Sequence, residues 1–334
     1  MSRVEVEAAL DAAASALGAP LGVDGPALLR ERADILGIVA SGAVSAGGTC
    51  RLLRARDERW IAVNLARRSD VELLAAWMER EWNGAPWDAV AEFVASVDAP
   101  GAVERAQLLG IPAAVAVEAV AGSPVRMTPG ASRRPRGSET IVLDLSALWA
   151  GPLCTRILQQ LGARVEKVEL HGRPDGARAG HPEFWTRMNG GKEERSVDHA
   201  ELLRLTHDAD VVVTSARPRA IEQLGLDLDR RAAVGEFVWV AITGYGIANA
   251  WRDRVAFGDD AAVAGGLAVA AGGADTPVFV GDAPADPLAG LHAAAAARRV
   301  IEHGLGGVVD VSMRDAVAAA LGAARYPAAI QEVA

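Results

Sequence analysis

Cysteine and long apolar runs are both scarce in this sequence of 334 residues. Its two cysteines, Cys50 and Cys154, are too far apart for a CxxC pair, so we expect neither a zinc site nor a disulfide framework. The longest apolar stretches, such as residues 111–120, are interrupted by charge and too short to cross a bilayer, so no transmembrane helix is predicted. The acidic amino terminus lacks the basic start of a signal peptide, and a cytoplasmic location is therefore expected.

Basic residues are also outnumbered by acidic ones. Lysine and arginine total 34 against 43 aspartates and glutamates, which gives a net charge of −9. Because this charge repels phosphate, we expect neither a nucleic acid nor a membrane surface as partner. Five of the six histidines have no carboxylate or cysteine at ligand spacing, and His292 is expected on a different helix face from Asp286, so no metal site is predicted. A composition of 51% hydrophobic and 23% charged residues is typical of a folded globular protein.

Strand and helix patterns alternate from residue 141 onward. Residues 141–145 and 165–170 are β-branched and leucine-rich runs with a helical pattern between them. Further strands are predicted over 209–213, 238–243 and 308–312, with helices between them and a glycine-rich span over 244–273. This alternation predicts an α/β domain with a mainly parallel sheet covered by helices on both faces. The loop after the first strand is where such a domain usually presents a ligand site.

The first 125 residues have a different pattern. Helices are predicted over 4–19 and 27–37, the second one capped by Asp24, and strands follow over 50–54 and 60–65. Residues 129–139 are rich in proline, glycine, serine and arginine, which is typical of an exposed linker. We therefore predict a small α+β domain over 1–125, a linker over 126–139 and a large domain over 140–334.

Three aspartates are candidates for chemistry. Asp286 precedes an alanine-rich helix and is spaced as D-x-x-x-G with Gly290, so it is either a helix cap or a carboxylate nucleophile held at an exposed helix start. Asp259 and Asp260 are adjacent and precede a glycine-rich loop. Since neighbouring residues of a helix point in different directions, we expect one of them to face a cleft and the other to face solvent.

Several segments, taken in order, resemble the class III CoA-transferases, also called CaiB/BaiF-like, which include formyl-CoA transferase, carnitine CoA-transferase and α-methylacyl-CoA racemase. The matching motifs extend from residue 143 to residue 316. They are LDLS at 143–146, AGP-x-CT at 150–155, LGA at 161–163, KVE at 167–169, NGGKEERS at 189–196, ADVVV at 209–213, ITGYG at 242–246 and VDVSMRDA at 309–316.

This resemblance implies a Rossmann-like large domain that takes coenzyme A in the form of an acyl-CoA substrate. It implies transfer of CoA to a small carboxylate acceptor through an aspartyl-acyl anhydride formed on Asp286, with Asp259 and Asp260 in the same site and the amides near Gly265 and Gly266 stabilising oxyanions. It also implies a homodimer, which in the family is interlaced. The residues expected to contact CoA are Trp149, Ala150, Gly151, Pro152, Lys192, Arg217 and Gln223.

Two alternatives remain open at this point. One is an acyl-CoA racemase or isomerase that uses Asp259 or Asp260 as the base, because Asp259 occupies the position of the racemase histidine. The other is a catalytically silent CoA-binding homologue. It is suggested by three positions, Leu170, Gly190 and Gln223, where the family commonly has basic or polar groups for CoA.

The amino-terminal third resembles the small domain that normally follows the large domain in this family. The segments concerned are SAGGTCRLLRARDERWIAVNLA at 45–66 and LLGIPAAVAVEA at 108–119. Their position before the large domain implies a circularly permuted order, which is feasible where chain ends lie close together at the surface.

Overall fold

The chain begins with two helices that pack against the larger of its two sheets. The structure, a computed structural model, describes residues 1–118, 122–133 and 139–325. Helices α1 (Arg3–Gly18) and α2 (Gly25–Leu36) are each capped, and Asp24 accepts the Ala27 amide at 3.0 Å, as predicted. Their apolar residues, including Leu10 and Leu28, are buried in the same core as the large sheet. Both helices therefore pack with the large sheet and not with the small domain to which they were assigned.

A small antiparallel sheet follows, built from β1 (Cys50–Arg54), β2 (Trp60–Asn64) and β3 (Ala113–Val115) in that order. Side chains alternate across β2, with Ile61 and Val63 packed under helices and Ala62 packed in a separate cluster with Val263 and Ala268. The helices that cover the first face are α3 (Arg68–Glu72), α4 (Leu74–Met78), α5 (Pro86–Ser96) and α6 (Ala99–Leu109).

Seven strands form the large sheet. They are β4 (Val125–Ser132), β5 (Ile141–Asp144), β6 (Arg164–Leu170), β7 (Glu193–Val197), β8 (Val211–Thr214), β9 (Val238–Thr243) and β10 (Leu305–Ser312). Their order is β4-β10-β9-β8-β5-β6-β7, and all pairs are parallel except β4 with β10. The predicted α/β class with a parallel-dominant sheet is confirmed.

The predicted linker over 126–139 is wrong in its first half, because residues 125–132 form β4. Pro129 pairs with Gly307 of β10 there, and an edge strand tolerates proline because one side of its backbone has no strand partner. The pairing also needs glycine at 130, since a Cβ there would lie 2.3 Å from the Ala232 carbonyl oxygen. Positions 134–138 of the predicted linker lie outside the described residues.

Helices cover both faces of this sheet. One face packs on α7 and α14 through residues such as Val142 and Val309, and the other packs Leu143 and Trp239 against α9 and α11. The bounds are α7 (Ala150–Gln160), α8 (Pro182–Asn189), α9 (His199–Asp208), α10 (Pro218–Gln223), α11 (Leu228–Ala233), α12 (Gly258–Ala264), α13 (Leu267–Gly272), α14 (Ala285–Glu302) and α15 (Met313–Arg325).

The strand order reverses direction between β5 and β8. From this pair the chain extends to β6 and β7 on one side and to β9 and β10 on the other. The loops that follow β5 and β8 meet there, where the Ala147 amide donates to the Ser215 hydroxyl at 2.9 Å. Ligands of open α/β sheets bind outside the strand ends at this kind of switch point.

Among the described residues, no single helix is long and apolar enough to cross a membrane. The segments Arg3–Leu21 and Gly25–Leu36 reach that length and composition only together, across a bend of 111°.

Candidate active site

The D-x-x-x-G element brings the start of α14 against the start of α7. Asp286 accepts a hydrogen bond from the Ala150 amide. One turn later, a Cβ on Gly290 would lie 2.8 Å from the Ala150 carbonyl oxygen, so only glycine allows this approach. A Cβ on Gly258 would lie 2.2 Å from Asp286 Oδ2, so this glycine leaves room for the carboxylate. Asp286 therefore binds the first amide of a neighbouring helix, and the N-cap of its own helix is Pro284.

Three further aspartates lie close to Asp286. Asp259, Asp260 and Asp282 are 7%, 0% and 1% exposed, whereas Asp286 is partly exposed. Asp259 accepts the Ala283 amide at 3.1 Å, and Asp260 accepts both the Asn64 side-chain amide at 3.0 Å and the Phe257 amide. The expectation that one of the adjacent pair would face solvent is wrong, because α12 is enclosed between the small sheet and the helices α14 and α15.

Burial shifts these carboxyl groups toward neutrality. Desolvation raises the pKa of Asp286 to about 7, and the Asp259 and Asp282 carboxylates add to the rise while Arg32 opposes it. Desolvation also raises the pKa of Asp260 to about 7 and that of Asp259 to about 6. A partly exposed carboxyl that exchanges its proton near neutral pH is suited to covalent or acid-base chemistry.

The site contains a cation that the sequence did not point to. Arg32, on α2, places Nη1 2.6 Å from Asp282 Oδ1, and its guanidinium carbon lies 5.8 Å from the centre of the Trp149 ring. Its side chain is 28% exposed, while that of Asp282 is fully buried. No local motif could have identified Arg32, because 250 positions separate it from Asp282 along the chain.

The four residues Trp149, Ala150, Gly151 and Pro152 are buried at the start of α7. Trp149 packs edge-to-face on Phe184 with ring centres 5.5 Å apart, and its indole N–H is buried without a partner among the described residues. The residue before it, Leu148, has a φ of +69° and donates its amide to Asp175 at 3.0 Å. The structure thus brings the predicted loop and the predicted aspartates together.

Lys192 lies beneath this loop and not at its surface. Its ammonium is enclosed by Asp144 Oδ2 at 3.0 Å, the Pro152 carbonyl at 3.0 Å and the Thr155 hydroxyl at 2.8 Å, and it also contacts Asn189. With these partners the ammonium supports the loop from within, in place of the expected contact with a CoA phosphate.

Arg217 and Gln223 are exposed at the two ends of α10, and Arg217 donates to the Asp253 carbonyl at 3.3 Å. Within the part of the chain that the structure describes, neither residue contacts the four aspartates of the site. The amides of Gly265 and Gly266 donate to the carbonyls of Ala261 and Val263, so the expected oxyanion role does not fit this geometry.

Comparisons with known proteins match the part of the chain that contains the four aspartates. A family model, CoA-transferase family III, matches residues 138–332, which is more than half of the chain. The succinyl-CoA–D-citramalate CoA-transferase of Chloroflexus aurantiacus is 30% identical over 207 residues, covering 56% of this chain and 52% of the relative. The acetyl-CoA:oxalate CoA-transferase of Acetobacter aceti is 28% identical over 218 residues, covering 58% and 56%.

A solved structure gives the same result. The crystal structure of Rv3272 from M. tuberculosis superposes with a TM-score of 0.50 at 28% identity, covering 59% of this chain and 58% of that one. The chain spans about half the length of the curated relatives it matches. The match over residues 138–332 identifies the chain as a member of CoA-transferase family III.

Proposed function

We propose that this protein is an acyl-CoA:carboxylate CoA-transferase in which Asp286 is the covalent nucleophile. The observation that supports this most directly is the exposure of Asp286, which is partly accessible while Asp259, Asp260 and Asp282 are enclosed. Its carboxylate lies at the first amide of α7, at the edge of the sheet where α/β proteins bind ligands. The named relatives transfer CoA between carboxylic acids, which is the reaction we extend to this chain.

The proposed reaction begins when an oxygen of Asp286 attacks the carbonyl carbon of the acyl-CoA thioester. The carbon–sulfur bond breaks, CoA leaves as the thiolate, and an aspartyl-acyl anhydride remains. The thiolate then attacks the aspartyl carbonyl, which releases the donor acid and leaves CoA on Asp286. An acceptor carboxylate reverses these steps and departs as the new acyl-CoA.

The start of α7 supports this chemistry electrostatically, because a helix amino terminus stabilises negative charge. We place CoA along the loop at Trp149, Ala150, Gly151 and Pro152, with Arg217 and Gln223 at the rim. We propose a homodimer in the cytoplasm as the working form.

The geometry favours the transferase over the racemase alternative. Asp260 is fully enclosed and already bonded to Asn64 and Phe257, and Asp259 is nearly as buried. A base that removes the proton beside a thioester must reach that proton within hydrogen-bond distance. Of the four aspartates, Asp286 is the one that is partly exposed, whereas the other three are enclosed.

The test is CoA transfer from succinyl-CoA or acetyl-CoA to a panel of small carboxylic acids, followed by liquid chromatography and mass spectrometry. Asp286→Asn is expected to lower kcat by about a thousandfold or more, because loss of a covalent nucleophile removes the main pathway. Asp275→Asn, which changes an exposed aspartate, is the matched control and is expected to keep the activity.

Three outcomes contradict the proposal. If the Asp286→Asn variant still transferred CoA, Asp286 would not be the nucleophile. Deuterium incorporation beside the thioester of a 2-methylacyl-CoA, without any acceptor, would favour the racemase. Binding of CoA esters without turnover of any pair would favour a silent homologue.

A further inference from the structure

Arg32 brings positive charge to a site crowded with carboxylates. The site has four aspartates, at positions 259, 260, 282 and 286. In the described part of the chain, Arg32 is the cation that contacts one of them directly, through a bond from its Nη1 to Asp282. Burial raises the pKa of Asp259, Asp282 and Asp286. The Coulomb attraction of Arg32 opposes this rise in all three. Arg32 therefore lies within electrostatic reach of the proposed nucleophile.

Most of the hydrogen-bonding capacity of Arg32 is unused. A guanidinium has five N–H donors, and the contact with Asp282 is its one hydrogen bond to the described residues. Nη2 lies beside Gly47, where an added Cβ would be in ordinary contact at 3.6 Å, so its neighbour on that side is a residue without a side chain. The side chain of Arg32 is 28% exposed, which leaves part of it accessible to a small ligand.

A second donor without a partner belongs to the aromatic ring that Arg32 contacts. The Trp149 ring is beside the guanidinium, and its buried indole N–H has no partner among the described residues. Asp282 Oδ2 is likewise buried without a partner, so Asp282 anchors Arg32 through one oxygen only. Buried donors without partners are uncommon and call for an explanation such as a ligand.

The proposed reaction needs a cation at this place. The acceptor is a carboxylate and must approach Asp286 while Asp259 and Asp282 lie nearby, so like charges repel it. The donor acid leaves the same place as a carboxylate, because the acceptor reverses the donor's steps, whereas the attack of Asp286 on the neutral thioester needs no cation for a free carboxylate. Arginine suits this task because its planar fork binds both oxygens of a carboxylate.

We propose that Arg32 binds the carboxylate of the acceptor acid and orients it toward Asp286, with Asp282 holding the guanidinium in place. This inference rests on the proposed transferase function. It assigns Arg32 to the steps in which a free carboxylate enters or leaves the site, which include acceptor recognition, and it gives α2 a role in the active site.

The experiment measures kcat/KM for the best acceptor of the panel and, separately, the rate at which acyl-CoA alone acylates Asp286 in a single turnover. Arg32→Met is expected to lower kcat/KM for the acceptor by about 10- to 100-fold, the range of a lost charged hydrogen bond, and to change the acylation rate with acyl-CoA by less than about threefold. Arg32→Lys should restore part of the loss, since it returns the charge without the fork. Arg30→Met, on the same helix and paired with Asp11 at the surface, is the matched control.

A second variant guards against misfolding. Arg32→Met leaves Asp282 buried without its cation, whereas the double variant Arg32→Met with Asp282→Asn leaves no unpaired charge and is expected to show the same selective loss. Equal losses in the acceptor kcat/KM and in the acylation rate, or a lower kcat with an unchanged acceptor KM, would overturn the role of Arg32. Failure of the wild type to form a hydroxylamine-trappable acyl-enzyme from acyl-CoA alone would instead overturn the proposed function, because that step precedes acceptor binding.

Discussion

Asp260 shows how strongly the surroundings of a single residue alter its chemistry. It is fully buried, and desolvation raises its pKa from 3.8 to about 7. Between pH 4 and pH 7 the Asp260 carboxyl is therefore protonated in the folded protein and ionised in the unfolded chain. Because the folded state binds more protons in this window, the contribution of Asp260 to stability falls as the pH rises through it.

Asp260→Asn is therefore expected to stabilise the protein at pH 8, by roughly 2–4 kcal/mol, and to have little effect at pH 4. The new amide can accept from the Phe257 amide and can donate to Asn64 Oδ1, which has no partner among the described residues. Urea unfolding of both proteins at the two pH values measures the difference.

Asp70→Asn provides the contrast, because Asp70 is equally buried but paired with Arg67 at 2.6 Å. That variant is expected to lose stability at pH 8. An Asp260→Asn protein that is no more stable than the wild type at pH 8 would contradict the pKa assignment.

Individual site residues differ in how far the sequence could predict them. The D-x-x-x-G spacing marked Asp286 because glycine and carboxylate are needed one turn apart, where α14 crosses α7. The burial of Asp260 and the role of Arg32 depend on segments far apart in the chain, and no local pattern contains that information.

At the scale of elements, a buried ionic network holds the loop between β5 and α7. Asp144, at the end of β5, accepts from Lys192 and from the Thr155 hydroxyl, at 3.0 and 2.7 Å. Asp175 pairs with Lys167 at 2.9 Å and also accepts the Leu148 amide. These bonds fix Leu148 in its left-handed conformation and so set the position of the α7 amino terminus beside Asp286.

Lys192→Met is expected to lower the free energy of unfolding by about 3 kcal/mol, because the buried Asp144 carboxylate loses its hydrogen-bonded ammonium and keeps only the Coulomb attraction of Lys167. Arg217→Met, at an exposed position, is expected to stay within about 0.5 kcal/mol of the wild type. Chemical denaturation gives both values. If Lys192→Met instead kept full stability and lost affinity for CoA, the lysine would contact the ligand as the sequence first indicated.

Elements with strong local patterns could be predicted, and elements defined by distant pairing could not. The strand at 238–243 is a buried apolar run and was placed correctly. Strand β4 contains Pro129 and Gly130 and forms only because β10 is beside it, so its composition indicated a linker. Helices α12 and α13 were missed because their glycines and alanines resemble a loop, although small residues are what the close packing around Gly265 requires.

At the scale of the whole molecule, the active site draws on both ends of the chain. Helix α2 supplies Arg32, the small sheet supplies Asn64, and the large domain supplies the aspartates. Arg156 of α7 also bonds Glu31 of α2 at 3.0 Å. The sequence boundary at residue 125 separated these parts, because local patterns do not show which apolar surfaces meet. A permuted order of the family's segments remains our interpretation of this arrangement.

We propose that Asp286 becomes covalently modified during CoA transfer. Mass spectrometry of the protein after a single turnover with acyl-CoA, followed by peptide mapping, tests this proposal. An acyl or CoA adduct is expected on the peptide that contains Asp286, removed by hydroxylamine and absent in Asp286→Asn. Turnover without any adduct, or an adduct on Asp259 or another residue, would contradict it.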